Sequence, residues 1–122
     1  MGGAWGLCAV KTEILDLLAP SMERLTMLVV DGSEHLMRLR EMYPNAEMHA
    51  ITPYPEIAEN GDIAALGVHA HLLDWRRGPL PFADETFDRI ISEFAIESAY
   101  EPYDALMALN RALKETGTLY TC

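Results

Sequence analysis

The chain has 122 residues, with 9 Lys and Arg against 19 Asp and Glu, and therefore a formal net charge of −10. This length is typical of one domain, and the hydrophobic half of the residues is enough for a packed core. The acidic surplus argues against nucleic-acid binding, which needs clustered Lys and Arg, and the adjacent pair Arg76 and Arg77 is interpreted as a solvated loop pair. No apolar run approaches the ~20 residues of a membrane-spanning helix, and Cys8 and Cys122 frame no disulfide-bonded core, so we expect a cytoplasmic protein.

The first half of the chain predicts helices that alternate with short strands. Thr12 is placed to cap a helix that Pro20 ends. An apolar run over residues 25–30 predicts a buried strand, and Ser33 then caps a second helix. Residues 47–51 predict a second strand.

The second half continues this alternation. A third helix starts at Pro55, and the pair Asn60 and Gly61 interrupts it, so a bent or split helix that ends at Gly67 is expected. A third strand follows over residues 68–73, and a fourth over residues 89–92.

A last helix and strand complete the pattern. Pro102 opens the helix, and Gly117 ends it by supplying a positive φ before a fifth strand over residues 118–121. This alternation of strand and helix predicts a doubly wound α/β fold with a mostly parallel sheet and helices on both faces. Ligands in such folds bind beyond the carboxyl ends of the strands. The predicted core consists of Leu28, Val29, Val30, Ile51, Leu72, Leu73, Ile90, Ile91 and Leu119, with the inward faces of the helices.

Three segments of the second half resemble a known enzyme family. They are Asp74 with the loop LPFADETFD (residues 80–88), the strand RIIS (residues 89–92) and the segment LNRALKETGTL (residues 109–119). In this order they resemble the class I S-adenosylmethionine-dependent methyltransferases, specifically the type 11 group. The resemblance implies a Rossmann-like domain over residues 1–122, with strand order 3-2-1-4-5 and without the family's sixth and seventh strands.

The resemblance also implies S-adenosylmethionine as the cofactor and a set of residues that contact it. The family has a glycine-rich turn after strand one, whereas this chain has a single glycine there. The family has an acid for the ribose after strand two, and here Thr52 stands near that position; Asp74 is retained where the family contacts adenine. Cofactor binding is therefore expected to be weak or absent. The implied cofactor-contacting residues are Asp31, Gly32, Ser33, Glu34, Thr52, Asp74, Trp75, Ser92 and Phe94, and Glu93 is the one candidate for a catalytic base.

Other interpretations of these residues stay open. Asp31 and Asp74 are also typical of turns after strands, and Ser33 is typical of a plain helix cap. A non-catalytic binding or regulatory module on the methyltransferase scaffold is therefore the alternative function, and the substrate is not readable from the sequence.

Two further patterns give weaker indications of function. His69 and His71 alternate on one face of the third strand, but no neighbouring Cys or carboxylate completes a tetrahedral metal site, so packing or surface histidines and no metal are expected. Residues 28–33 resemble response-regulator receiver domains, but the acidic pair, the phosphoacceptor position and the late Lys of that family do not follow.

The predicted fifth strand would lie at an edge of the sheet. With the family's last two strands absent, its backbone groups would be unpaired, and such an edge tends to pair with another chain. A second copy of the chain, a partner protein or a further segment could cover it, and we favour a homodimer through this strand, because a symmetric pairing needs no second gene product.

Overall fold

The computed structural model describes residues 4–7, 14–31, 33–76, 80–92 and 99–121, which form one parallel sheet with helices on both faces. The strands are β1 (Ala4–Leu7), β2 (Thr26–Val30), β3 (Glu47–Thr52), β4 (Val68–Leu72), β5 (Phe87–Ser92) and β6 (Leu113–Thr121). The α-helices are α1 (Leu36–Met42), α2 (Pro55–Ala58), α3 (Gly61–Ala65) and α4 (Pro102–Ala112), and short 3-10 turns cover Ile14–Leu17 and Ser33–His35.

The strands lie in the order β1-β6-β5-β2-β3-β4, and each neighbouring pair is parallel. Strands β2 to β6 are the five predicted strands, so the predicted order 3-2-1-4-5 and the doubly wound class are confirmed. The buried run of β2 lies between β5 and β3, where both faces of the sheet are covered.

The prediction that the fifth strand is an edge is wrong. Strand β1 pairs with β6 along its length, from Ala4 opposite Thr118 to Leu7 opposite Thr121. The backbone pairing expected from a second copy of the chain is supplied by the chain itself, so the reason for placing a dimer interface at this edge no longer holds. A strand of four residues has too few positions to show a period in the sequence, which is why it was missed.

The helices begin and end largely where the local signals predict. Pro55 opens α2, and the Asn60 side chain accepts hydrogen bonds from the backbone N–H groups of Asp62 and Ile63, which starts α3 as a separate helix. Gly67 follows with a φ of 75°, the left-handed conformation that ends many helices. The predicted split helix is confirmed.

Two predicted helix starts differ from the structure. The apolar residues after Thr12 form only a 3-10 turn over Ile14–Leu17, and Thr12 itself lies outside the described residues. Ser33 begins a 3-10 turn, so that α1 starts at Leu36 with His35 as its N-cap.

Gly117 does not have the role that the sequence predicts. Helix α4 ends at Ala112, and β6 begins at Leu113, so the chain has already become extended when it reaches Gly117. Gly117 has no positive φ, and a Cβ there would lie 2.9 Å from the Asp88 carbonyl oxygen and 2.7 Å from Leu113 Cδ1. The glycine is needed for close packing.

Two apolar cores lie on opposite faces of the sheet. The first packs α1 against Met27 and Val29, and the second packs α4 against Leu28 and Val30. The predicted core is confirmed at the buried positions Leu28, Val29, Val30, Ile51, Ile90, Ile91 and Leu119, and Leu73 packs partly buried against the second core. Leu72 is the exception, with 56% of its surface exposed, because it ends the edge strand β4.

In the part of the chain that the structure describes, no helix is long and apolar enough to cross a membrane.

Candidate functional site

The strands bring the predicted site residues to one edge of the sheet. Val30 lies opposite Ile51 on one side and Ser92 on the other, and Thr52 lies opposite Leu72. Because all these strands are parallel, their carboxyl ends meet at the same edge. Asp31, Thr52, Asp74 and Ser92 therefore stand at that edge, as predicted.

The turn after β2 holds Asp31 in an unusual conformation. Its φ is 51°, in the left-handed region, where Asp is among the few non-glycine residues that are tolerated. Its backbone N–H donates a hydrogen bond of 3.0 Å to the carbonyl oxygen of Ile51, which fixes the turn to β3. Ser33 and the exposed Glu34 follow directly in the 3-10 turn.

The charge at this turn is negative. Burial raises the pKa of the Asp31 carboxyl, the neighbouring Glu34 raises it further, and the Arg76 guanidinium opposes both effects. Arg76 lies on the loop after β4, and its positive charge partly offsets the negative charge of this turn. This arrangement suits a ligand with a positive charge.

The hydroxyl of Thr52 already has a structural use. Thr52 is buried, and its Oγ1 accepts a hydrogen bond of 3.2 Å from the backbone N–H of Tyr54, just before α2 begins. Thr52 thus lies at the predicted place but acts as a turn residue.

Asp74 is tied to Arg76 in the loop after β4. Asp74 Oδ1 accepts hydrogen bonds from the Arg76 backbone N–H at 3.2 Å and from Arg76 Nε at 2.8 Å, and Oδ2 lies 3.4 Å from Arg76 Nη2. The pKa of Arg76 is raised above its usual value, mainly by the hydrogen bond to Asp74 and further by the negative charge of Asp74, while desolvation opposes the shift. Arg76 lies on a loop, as expected of the solvated pair, and its side chain is paired with Asp74, whereas Arg77 lies outside the described residues.

Two buried polar atoms at this edge have no hydrogen-bond partner within the described ranges. They are the indole Nε1 of Trp75 and the Oγ of Ser92, in residues with 5% and 0% of their surface exposed. Buried polar atoms are nearly always paired in folded proteins, so an unpaired donor and hydroxyl at one edge favour a ligand site. Gly32, Glu93 and Phe94 lie outside the described residues.

The predicted histidine pair belongs to a larger group. His49 on β3 joins His69 and His71 on β4, and the exposed Glu47 carboxylate contacts His49. Sequence reasoning missed His49 and Glu47, because it considered one strand at a time. Across the described segments, no group of three or more His, Cys, Asp or Glu residues is arranged to hold a metal ion.

The site and the fold agree with the proteins that this chain resembles. Residues 25–121 match a family described as a methyltransferase domain. The chain is 31% identical over 114 residues to the ubiquinone/menaquinone biosynthesis C-methyltransferase UbiE of Paracoccus denitrificans, a match that covers 89% of this chain and 46% of that protein.

Solved structures show the same similarity. A methyltransferase in complex with the Trm112 methyltransferase activator of Haloferax volcanii is 26% identical, with a TM-score of 0.70 over 84% of this chain and 46% of that one. An S-adenosylmethionine-dependent methyltransferase of Aquifex aeolicus is 25% identical, with a TM-score of 0.61 over 77% of this chain and 54% of that one. The chain thus spans about half the length of these relatives.

The family match covers most of the chain, and the parallel sheet has the predicted strand order. The family and its relatives imply S-adenosylmethionine as the cofactor. The chain belongs to the S-adenosylmethionine-dependent methyltransferase domain family.

Proposed function

We propose that this chain is a cofactor-binding methyltransferase domain in which Arg76 weakens the binding of S-adenosylmethionine. The observation that carries the proposal is the edge of the sheet at which Asp31, Asp74, Trp75 and Ser92 meet. The unpaired buried Trp75 Nε1 and Ser92 Oγ in that edge support a ligand.

The residues at this edge fit the cofactor in part. The carboxylates of Asp31 and Glu34 suit its positive sulfonium group, and Asp74 stands where the family contacts adenine. The cofactor supplies a methyl group on a positively charged sulfur, and the chain has to bind and orient it next to a nucleophile. Such transfer depends mainly on positioning, so the proposal needs no pair of acid and base residues.

Two contacts within the chain reduce this fit. Both Asp74 oxygens face Arg76, so a ligand amino group competes with the guanidinium for the carboxylate. The Thr52 hydroxyl is buried against the Tyr54 backbone, and a hydroxyl lacks the charge of the acid that holds a ribose. The Arg76 charge also offsets the negative charge that attracts a sulfonium group.

The rival proposal is a binding or regulatory module that retains the scaffold and binds no cofactor. The Asp74–Arg76 ion pair supports it, because the pair closes the retained adenine contact. One of the similar structures includes an activator protein, which supports a protein partner for such a module.

Calorimetric titration with S-adenosylmethionine and S-adenosylhomocysteine distinguishes the two proposals. We expect Arg76→Gln to tighten S-adenosylmethionine binding by about threefold to tenfold, the effect of about one net hydrogen bond, because the competing guanidinium is removed from Asp74. The gain should be smaller for S-adenosylhomocysteine, whose sulfur is uncharged. Asp74→Asn should weaken binding of both ligands.

Arg38→Gln is the matched control, because Arg38 is exposed on α1 and has no part in the site. It should leave both affinities unchanged. No heat of binding in either the parent chain or Arg76→Gln would favour the module without cofactor. Weaker binding in Arg76→Gln would show that Arg76 assists the ligand.

A further inference from the structure

Three histidines form a cluster on the face of the sheet that carries the second core. His49 lies opposite His69 in the register of β3 and β4, and its ring centroid is 4.9 Å from that of His69 and 5.3 Å from that of His71. His49 Nδ1 lies 3.0 Å from His71 Nε2, which is a hydrogen-bond distance. We call these three residues the histidine cluster.

The histidine cluster lies beneath aromatic rings from another part of the chain. Phe82 packs its ring at nearly right angles to His71, with centroids 5.4 Å apart, and lies 6.0 Å from His49. Phe82 also contacts the fully buried Phe87 at 4.9 Å. Residues 80–86, which we call the Phe82 loop, are thus held to the sheet partly through the imidazole rings.

The hydrogen bond within the cluster limits how many protons it can carry. The His49–His71 bond needs one N–H group and one lone pair between the two facing nitrogens. A single added proton can be shared by this pair, with His49 Nε2 directed at the Glu47 carboxylate 3.2 Å away. A second proton places two N–H groups face to face and breaks the bond.

The surroundings also oppose this second proton. Among the described residues, the facing titratable groups are His49 and Glu47 on β3 and His69 on β4. The Phe82 loop and β5 contribute the uncharged rings of Phe82 and Phe87. The side chain of Glu47 is 61% exposed, so water screens the attraction between its carboxylate and a protonated imidazole.

These surroundings therefore favour the neutral imidazole of His71. Burial lowers the pKa of His71, and the neighbouring His49 and His69 lower it further. Because the folded pKa lies below the ordinary value of 6.5, this contribution to stability is present above about pH 6.5 and is lost as the pH falls below it.

The Phe82 loop is attached unevenly to the rest of the molecule. Its second half is tied to the end of α4, where the backbone N–H groups of Glu85 and Thr86 donate to the carbonyl oxygens of Arg111 and Ala112. Its first half relies on apolar packing of Leu80 and Phe82 against the second core. A change at the histidine cluster therefore acts on the first half of the loop.

We propose that the histidine cluster is a proton-sensitive fastening of the Phe82 loop: acidification breaks the His49–His71 bond and releases Leu80 and Phe82 from the second core. Trp75 packs in the same core, so release of the loop also loosens the edge of the sheet that carries the candidate site. This pH-dependent release of the Phe82 loop does not require a bound cofactor.

Hydrogen exchange and NMR of the whole chain test this proposal. Nuclear Overhauser contacts of the Phe82 ring and the protection of the β2 amides are measured between about pH 7.5 and about pH 5.5, on either side of the ordinary histidine pKa. EDTA is present so that divalent cations do not occupy the imidazoles. We expect the contacts of the Phe82 ring with the His71 and Phe87 rings to weaken severalfold at the lower pH, while the central strand β2 stays protected.

His71→Gln should abolish this pH dependence, because glutamine cannot gain the proton. His35→Gln is the matched control; His35 precedes α1, outside the cluster, and its replacement should leave the pH dependence intact. If His71→Gln does not fold, the imidazole resonances of the parent chain decide the question. The His71 titration should then coincide with the opening of the loop.

The proposal is overturned if the Phe82 ring keeps the same contacts with His71 and Phe87 at both pH values. It is equally overturned if the loop opens with a midpoint unrelated to the His71 titration, or if His71→Gln retains the same pH dependence as the parent chain. None of these outcomes bears on cofactor binding, so the proposed function is tested separately.

Discussion

At the scale of single residues, Arg40 joins the ends of two helices. Its Nε donates a hydrogen bond of 2.8 Å to the Leu66 carbonyl oxygen, and its Nη1 donates one of 2.8 Å to that of Ala46. Further bonds of 3.3 Å reach the carbonyl oxygens of Tyr43 and Gly67. These carbonyls follow α1 and α3, where helices leave acceptors unpaired, and the planar guanidinium can reach several of them at once.

We expect Arg40→Lys to lower the free energy of unfolding by about 1–3 kcal/mol, because an ammonium group cannot span the same acceptors. Urea denaturation measures this loss. Arg38→Lys on the exposed face of α1 is the control and should change stability by less than about 0.5 kcal/mol. Equal effects of the two substitutions would contradict the assigned role of Arg40.

At the scale of elements, the passage from α4 to β6 depends on a bulge. Phe87 lies opposite Leu113 and Arg89 opposite Thr118, so Asp88 alone faces residues 114–117. The Asp88 carboxylate also joins neighbouring strands, because its Oδ2 accepts a hydrogen bond of 2.8 Å from the Thr26 backbone N–H and Oδ1 lies 3.3 Å from Lys114 Nζ.

Gly117→Ala should lower the free energy of unfolding by about 1–3 kcal/mol, because the added methyl group overlaps the Asp88 carbonyl oxygen and the Leu113 side chain. Thermal and urea unfolding measure the change. Gly61→Ala provides the comparison, since nothing lies within 4 Å of a Cβ at that position. That substitution should be neutral or stabilise the chain by up to about 1 kcal/mol. A harmless Gly117→Ala would mean that the bulge can rearrange.

At the scale of the whole molecule, β1 is the strand that covers the β6 side of the sheet. Without it, the backbone N–H and C=O groups of β6 would face water and could pair with another chain. On its other side β6 pairs with β5, so loss of β1 leaves β6 with one neighbour in the sheet. We therefore expect loss of the covering strand to promote association.

Deletion of residues 1–7 should produce dimers or larger species whose share rises with protein concentration. Size exclusion coupled to light scattering measures the mass of the parent chain and of the deletion variant under the same conditions. Deletion of residues 1–3, which precede β1, is the control and should leave the oligomeric state of the parent chain unchanged. An unaltered oligomeric state after deletion of residues 1–7 would show that the exposed edge is protected in another way.

Local patterns were sufficient to predict the elements of the scaffold and to place several candidate site residues directly after strands. The apolar run of β2, the interruption at Asn60 and the proline at the start of α4 are each decided by residues close together in the chain. The alternation of these elements predicted the doubly wound class, and the family resemblance supplied the strand order. The same order placed Asp31, Thr52, Asp74 and Ser92 at one edge.

Contacts between distant parts of the chain were decided only by the tertiary structure. The pairing of β1 with β6 depends on an edge that the rest of the fold creates, and the exposure of Leu72 depends on its place at the opposite edge. The histidine cluster arises because β3 and β4 align His49 with His69, although each strand alone shows unremarkable histidines. Periodicity and capping report the preferences of neighbouring residues, whereas hydrogen bonds and charges act between whatever groups the fold brings within a few ångströms.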